Sequence, residues 1–309
     1  MSKILITGGC GFIGSSLAEK LALDPENEIV IADNLLSGKI ENLPPDSFNN
    51  WKFIHCNVNK KEELLPIMVS HHFDYVFHYA AVVGVNRTLD NPLMVLEDIK
   101  GIQNILELCK NTGVKRIFFA SSSEVYGESV SFPQNEFSTP LNSRLPYAVV
   151  KNVGESFCRS YEQVYHLPYT LFRFFNTYGA KQSPDFVVSK FIEAAMENQD
   201  ITIYGDGSQT RTFCFIDDNV DACLATLKRP DTINDVFNIG SDIEISVLEL
   251  ANTILEVSGS CSKIVFLPPL KEGDMKRRVP DLGKMRNLLP RNPISLREGL
   301  TKIIYGIKI

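Results

Sequence analysis

The seven positions from Gly8 to Gly14 constrain this chain more than any other feature. "KILITGGCGFIGSSLAEKL" (3–21) passes from a continuous apolar run, through Gly8, Gly11 and Gly14, into a segment of helical period. The spacing is G-x-x-G-x-x-G at the junction of a predicted strand and a predicted helix. Glycine lets the backbone turn tightly and approach a pyrophosphate, which then rests on free N–H groups and the positive end of the helix dipole. The next apolar run, "EIVIAD" (28–33), ends in Asp33, at the distance where an acid bonds the ribose diol of a dinucleotide. A carboxylate there repels a 2′-phosphate, so the expected ligand is NAD. Gly8, Gly11, Phe12, Ile13 and Gly14 would form its pyrophosphate turn, Asp33 and Asn34 its ribose contact, and Asn57 with Val58 its adenine edge.

The rest of the first half repeats this alternation. Strands are predicted at 3–7, 28–33, 51–56, 75–80, 116–121 and 169–174, with helices at 12–23, 60–70, 95–113 and 147–166 between them. The strands are apolar throughout rather than at every second residue, which implies burial on both faces and a parallel sheet covered by helices on each side. The expected fold class is therefore α/β: a Rossmann-type doubly wound parallel sheet, with a smaller mixed α/β C-terminal lobe for substrate. Residues 1–175 would form the dinucleotide-binding domain and 176–309 mainly the lobe, with a crossing back to the first domain allowed. In the lobe, helices are predicted at 187–199, 217–227 and 246–259, and "LPPL" (267–270) precedes the basic cluster Lys276-Arg277-Arg278.

Composition narrows the partners. The 309 residues, 44% hydrophobic, suffice for a sizeable core, and 31 basic against 37 acidic residues give a net charge of −6. Nucleic-acid binding would want a concentrated basic excess instead. Seven cysteines without a C-x-x-C pair suggest neither a disulfide framework nor a zinc knuckle. No signal peptide or membrane-length apolar stretch is seen, so a cytoplasmic location is expected. The five histidines show no metal-ligand spacing, and no catalytic metal is expected.

Tyr147 and Lys151 stand four apart at the head of a helical pattern, hence on one face. A phenol titrates near 10 and is a weak base at neutral pH, but a neighbouring ammonium and a cationic nicotinamide both favour the phenolate. With "TGGCGFIG", "ADNLLSG", "HYAA", "SSSEVYG", "YAVVK", "RFFNTYG", "GDGSQTRTFCFIDD" and "RRVPD" in this order, the chain resembles the NAD-dependent sugar-nucleotide epimerase, dehydratase and decarboxylase family of extended short-chain dehydrogenases/reductases. The resemblance implies Tyr147 as base, Lys151 as the residue that lowers its pKa and holds the nicotinamide ribose, and Ser122 as the hydroxyl bonded to the reacting sugar oxygen. It implies cofactor contacts from Ala80, Ala81 and Phe174, and sugar-nucleotide contacts from Ser123, Asn176, Arg211 and Arg278. Arg87, after the cofactor-lining strand, is a further candidate for the sugar or phosphate. Val150 and Asn57 depart from the family pattern, where a small hydroxyl residue and an acid are commoner.

The implied first step is oxidation of carbon 4 of a nucleoside-diphosphate sugar, ending as a 4-epimerase or as a net 4-dehydrogenase that releases a 4-keto sugar. Ser123-Glu124 stands where 4,6-dehydratases carry an Asp–Glu pair, so the dehydratase proton donor is missing. Nucleotide-glucuronate decarboxylases carry Ser–Glu here and an arginine resembling Arg278, which keeps decarboxylation open, with Glu124 as an added catalytic candidate. Against it stand the helix opening "YAVVK" and the loop 82–92. A non-catalytic NAD sensor is the competing class. By analogy with the family, a homodimer through the helices at 95–113 and 147–166 is expected.

Overall fold

Apolar strands buried on both faces give the sheet that the pattern implies. The computed structural model describes residues 1–128, 131–269, 277–289 and 291–306; Lys276 of the basic cluster and Leu270 of "LPPL" lie outside them. The strands of the first half are β1 (Ser2–Thr7), β2 (Asn27–Asp33), β3 (Trp51–His55), β4 (Tyr75–His78), β5 (Arg116–Ser122) and β6 (Tyr169–Phe174). With Asp235–Ile239 they make a seven-stranded parallel sheet in the order Asp235–Ile239, β6, β5, β4, β1, β2, β3. Ile4 of β1 lies between Ile29 of β2 and Tyr75 of β4. The winding reverses between β1 and β4, and ligands of such sheets bind beyond the carboxyl ends at that point. Ile4, Leu5, Ile6, Val30 and Ile31 are wholly buried, which is why these strands lack polar alternation.

The covering helices are α1 (Phe12–Ala22), α2 (Lys61–His71), α3 (Val85–Asp90), α4 (Pro92–Thr112) and α5 (Pro146–Tyr165). Pro92 opens α4, where its missing N–H costs nothing, and Gly113 closes it at φ +75. The stretch 82–92, read as a loop from sequence, contains the short helix α3 and ends on the first residue of α4.

The chain divides into two compact units. The first holds 1–125, 143–173 and 223–237, and the second 126–142, 174–222 and 238–309. Residues 223–237 return to the first because Asp235–Ile239 completes the sheet beside β6. Among its described residues the second unit contains three short strand pairs: Thr177–Tyr178 with Cys214–Phe215, Thr210–Thr212 with Glu244–Ser246, and Ile201–Tyr204 with Ile264–Leu267. Its helices Val247–Ser258 and Leu296–Tyr305 both begin with capping boxes, Ser246 with Glu249 and Ser295 with Glu298.

Candidate active site

The glycine turn has the geometry its spacing implies. Gly8 follows β1 at φ +70 and donates its N–H to the Ala32 carbonyl at 2.8 Å. A Cβ at position 8 would lie 2.6 Å from the Ala80 nitrogen, and one at position 14 would lie 2.4 Å from the Gly8 oxygen, so neither site admits a side chain. Gly11 is the N-cap of α1; the helix has neither a side-chain cap nor an acid in its first turn. Its N-terminal N–H groups are left for an anion.

Asp33 is only 7% exposed. Its Oδ2 accepts the Cys10 N–H at 3.0 Å and its Oδ1 the Leu35 N–H at 2.8 Å, leaving a lone pair on each oxygen for a ribose hydroxyl. Gly38 keeps the carboxylate uncovered, since a Cβ there would fall 2.9 Å from Oδ2. An uncapped helix start for pyrophosphate and a fixed double acceptor for a diol fit NAD.

The other cofactor candidates are ordered by the backbone. Phe12 and Ile13 open α1, half-buried, and the Phe12 carbonyl accepts the Ser16 hydroxyl at 2.9 Å. Asn34 accepts the Leu36 N–H at 3.0 Å. Asn57 accepts the Asn59 N–H on its Oδ1 at 3.0 Å, so it caps its own turn. Val58 is buried, and its carbonyl accepts Asn104 Nδ2 at 2.9 Å. Ala80 donates to Thr7 Oγ1 at 3.4 Å, and Ala81 follows half-buried. Arg87, in α3, donates to the Val83 carbonyl at 3.2 Å, folded back on its own loop.

α5 carries Tyr147, Lys151, Gly154 and Glu155 toward β5. A Cβ on Gly154 would lie 2.2 Å from Phe119 Cζ, so helix and strand approach closely only because that position is glycine. Lys151 Nζ consequently stands 5.3 Å from the Phe119 ring centre and 5.6 Å from that of Tyr147. Burial pushes the Lys151 ammonium down to about 8, with the Asp98 charge opposing the shift. Burial also raises the Asp98 carboxyl, which accepts the Val82 N–H at 2.7 Å. His78, buried and paired through Nδ1 with Thr7 Oγ1 at 2.8 Å, is held down to about 3 by burial and by Lys151. It is neutral at physiological pH, so Lys151 carries the local positive charge.

Ser122 ends β5, and its Oγ accepts the Glu124 N–H at 3.2 Å. Its own proton remains to be donated. Ser123 is buried and begins the turn Ser123–Tyr126, which includes Glu124. Ser121 instead donates to Glu155 Oε1 at 2.6 Å. Glu155 also receives Arg173 Nε at 2.8 Å and Arg173 Nη2 at 2.7 Å, with Arg159 Nη2 at 3.1 Å. Burial alone would raise this carboxyl, but the hydrogen bonds and charge of Arg173 hold it below the usual range. The sequence reading missed this pair. The available signal was an arginine inside the apolar strand "YTLFRF", which demands a buried counter-charge.

In the second unit, Asn176 and Arg211 line one cavity of about 140 Å³ with Gln182, Phe186 and Phe213. Asn176 Nδ2 donates to the Thr212 carbonyl at 3.2 Å, and Arg211 Nη1 to the Thr210 carbonyl at 2.7 Å. Phe174 ends β6, half-buried. Arg278 is half-buried in a segment whose Val279 carbonyl and Asp281 N–H bond Gln134, at 2.7 and 2.8 Å. It is not among the residues lining the cavity of Asn176 and Arg211. Among the described residues, no group of three His, Cys, Asp or Glu side chains is placed to hold a metal ion.

A glycine turn that opens α1, a buried acid that ends β2 and a Tyr–Lys pair on the helix packed against the strand ending in Ser122 are the features of a dinucleotide-binding fold of the oxidoreductase class. The model of the NAD dependent epimerase/dehydratase family matches residues 4–240, and the chain belongs to that family. It is 35% identical to a UDP-N-acetyl-alpha-D-glucosaminuronate decarboxylase of Bacillus cytotoxicus, over 99% of this chain and 98% of the relative. The structure of the UDP-glucose 4-epimerase of Thermotoga maritima, with UDP-glucose, is similar at a TM-score of 0.91 and 33% identity, covering 98% of this chain and 97% of that one. A mutant UDP-glucuronic acid 4-epimerase of Bacillus cereus, in complex with UDP-4-deoxy-4-fluoro-glucuronic acid and NAD, is similar at 0.86 and 30%, covering 98% and 99%. The protein is an enzyme, and its cofactor is NAD.

Proposed function

We propose that this enzyme oxidises carbon 4 of a nucleoside-diphosphate sugar, acting as a 4-epimerase or as a net 4-dehydrogenase. The observation that carries the reading is the buried Lys151 ammonium beside the Tyr147 ring, on the helix packed against the strand that ends in Ser122. Ser122 donates its hydroxyl proton to the reacting sugar oxygen and orients it. Tyr147, as phenolate, takes the carbon-4 hydroxyl proton, and the Lys151 charge favours that phenolate. NAD supplies the hydride acceptor, held by Gly8, Gly11, Phe12, Ile13, Gly14, Asp33, Asn34, Asn57, Val58, Ala80, Ala81 and Phe174. For epimerisation the ketone turns, carbon 4 regains the hydride on its other face and Tyr147 returns its proton. Arg211 and Arg278, with Asn176, would bind the diphosphate, because guanidinium forks match phosphate oxygens.

Decarboxylation is the second reading. It is supported by Ser123-Glu124, by Arg278 and by the similarity to a decarboxylase. Glu124 would then serve a later proton transfer, and Arg87 is a candidate for the sugar or phosphate. Incubation with a panel of UDP-, GDP- and dTDP-sugars, followed by mass analysis, separates the outcomes. Unchanged mass with a new sugar configuration means epimerase, loss of two hydrogens dehydrogenase, loss of carbon dioxide decarboxylase, and loss of water dehydratase. No product from any sugar would reject the carbon-4 reading.

The enzyme is further proposed to work as a cytoplasmic homodimer. Seven free cysteines support the reducing compartment. On α5 a groove of about 410 Å³ is lined by Val149, Asn152, Val153, Ser156, Phe157 and Ser160, with Ser143. Those helix positions recur every three or four residues and form one stripe, as an unpartnered packing face would. Light scattering should give a dimer, and Phe157→Glu should give a monomer.

A further inference from the structure

Glu244 is a carboxylate shared between two segments that carry arginines. It opens the strand Glu244–Ser246, which pairs antiparallel with Thr210–Thr212 so that Ile245 faces Arg211 and Glu244 faces Thr212. Side chains alternate across such a ribbon, so Thr210, Thr212 and Glu244 share one face and Arg211 leaves by the other. On the first face, Thr210 Oγ1 donates to Glu244 Oε2 at 3.1 Å. Arg277 grips the same carboxylate with two bonds, Nε to Oε2 at 2.9 Å and Nη2 to Oε1 at 2.6 Å. Arg277 also lies over the Phe132 ring, 4.7 Å from its centre. The next residue is Arg278, whose segment is pinned on its far side by Gln134 through Val279 and Asp281.

We propose that Glu244 is a positioning residue for substrate: by joining the Arg211 ribbon to Arg277, it sets the spacing between Arg211 and Arg278 for a nucleoside diphosphate. This rests on the reading of those two arginines as the diphosphate clamp. A diphosphate needs both guanidinium groups at once, so an error in their separation weakens binding although neither is removed. Hydrogen bonds and charge from Arg277 hold the Glu244 carboxyl below its usual range, consistent with a pair that stays ionised at neutral pH.

The test is calorimetric binding of UDP, dTDP and GDP to the full-length protein, with steady-state kinetics on whichever sugar nucleotide is turned over. Glu244→Gln and Arg277→Met should each weaken binding of the preferred diphosphate, by roughly two- to fivefold, the range of a half-exposed ion pair. The double variant should be no weaker than either single one. KM should rise while kcat, NAD affinity and melting temperature stay unchanged, and Glu244→Asp should recover part of the loss. Additive effects of the two substitutions, or unchanged binding in both, would overturn the proposal while leaving the clamp standing if Arg278→Met still weakens binding. Unchanged binding in Arg211→Met and Arg278→Met, or no diphosphate bound by the unmodified protein, would overturn the clamp and the proposal together.

Discussion

In the proposed mechanism Lys151 serves function at the expense of stability. Its folded pKa of about 8 lies below the ordinary 10.5, so burial of the charge destabilises the fold fully below pH 8. That cost is relieved as pH rises from about 8 toward the unfolded value. Lys151→Met should therefore raise stability at pH 7, by about 1–3 kcal/mol in urea titrations, while abolishing turnover. The same pKa bears on activity: kcat/KM should fall as pH rises through about 8, where Lys151 loses the charge that favours the Tyr147 phenolate. Tyr147→Phe should cut kcat by about 10²–10⁴-fold with NAD affinity retained, and near-normal turnover in that variant would reject Tyr147 as the base.

Between elements, the contact of α5 with β5 decides whether the site assembles. The sequence made Tyr147 and Lys151 legible because four-residue spacing on a helix is local. Gly154 and Phe119 carry no comparable signal, since only the packed structure brings them together. Gly154→Ala would place its methyl 2.2 Å from the Phe119 ring. It should cost about 1–3 kcal/mol and lower kcat by displacing Lys151, both measurable on one protein preparation. Beneath that contact lies the Glu155–Arg173 pair. Glu155→Gln leaves the Arg173 charge without its counter-ion and should cost about 3–5 kcal/mol, whereas Glu155→Met with Arg173→Met together should cost much less. Equal losses in the single and double variants would show that packing, and not the buried charge, dominates there.

At the scale of the whole molecule, NAD couples binding to stability. Saturation at about 100 times Kd should add about 2.7 kcal/mol to unfolding, read as a rise in melting temperature with NAD concentration. Asp33→Ala should lose most of that rise, whereas Arg278→Met should keep it. The sequence by itself determined the doubly wound class and the glycine turn, and it placed Asp33 at a strand end and Tyr147 and Lys151 on one helix. These rest on apolar runs and short-range spacings, which follow from the repeat of strand and helix. Only the tertiary structure decided what opposes Lys151, what neutralises Arg173 and what Glu244 joins. Those partners come from distant parts of the chain, Asp98 with Lys151 and Glu244 with Arg277, and a charge finds its counter-charge only after the elements have packed.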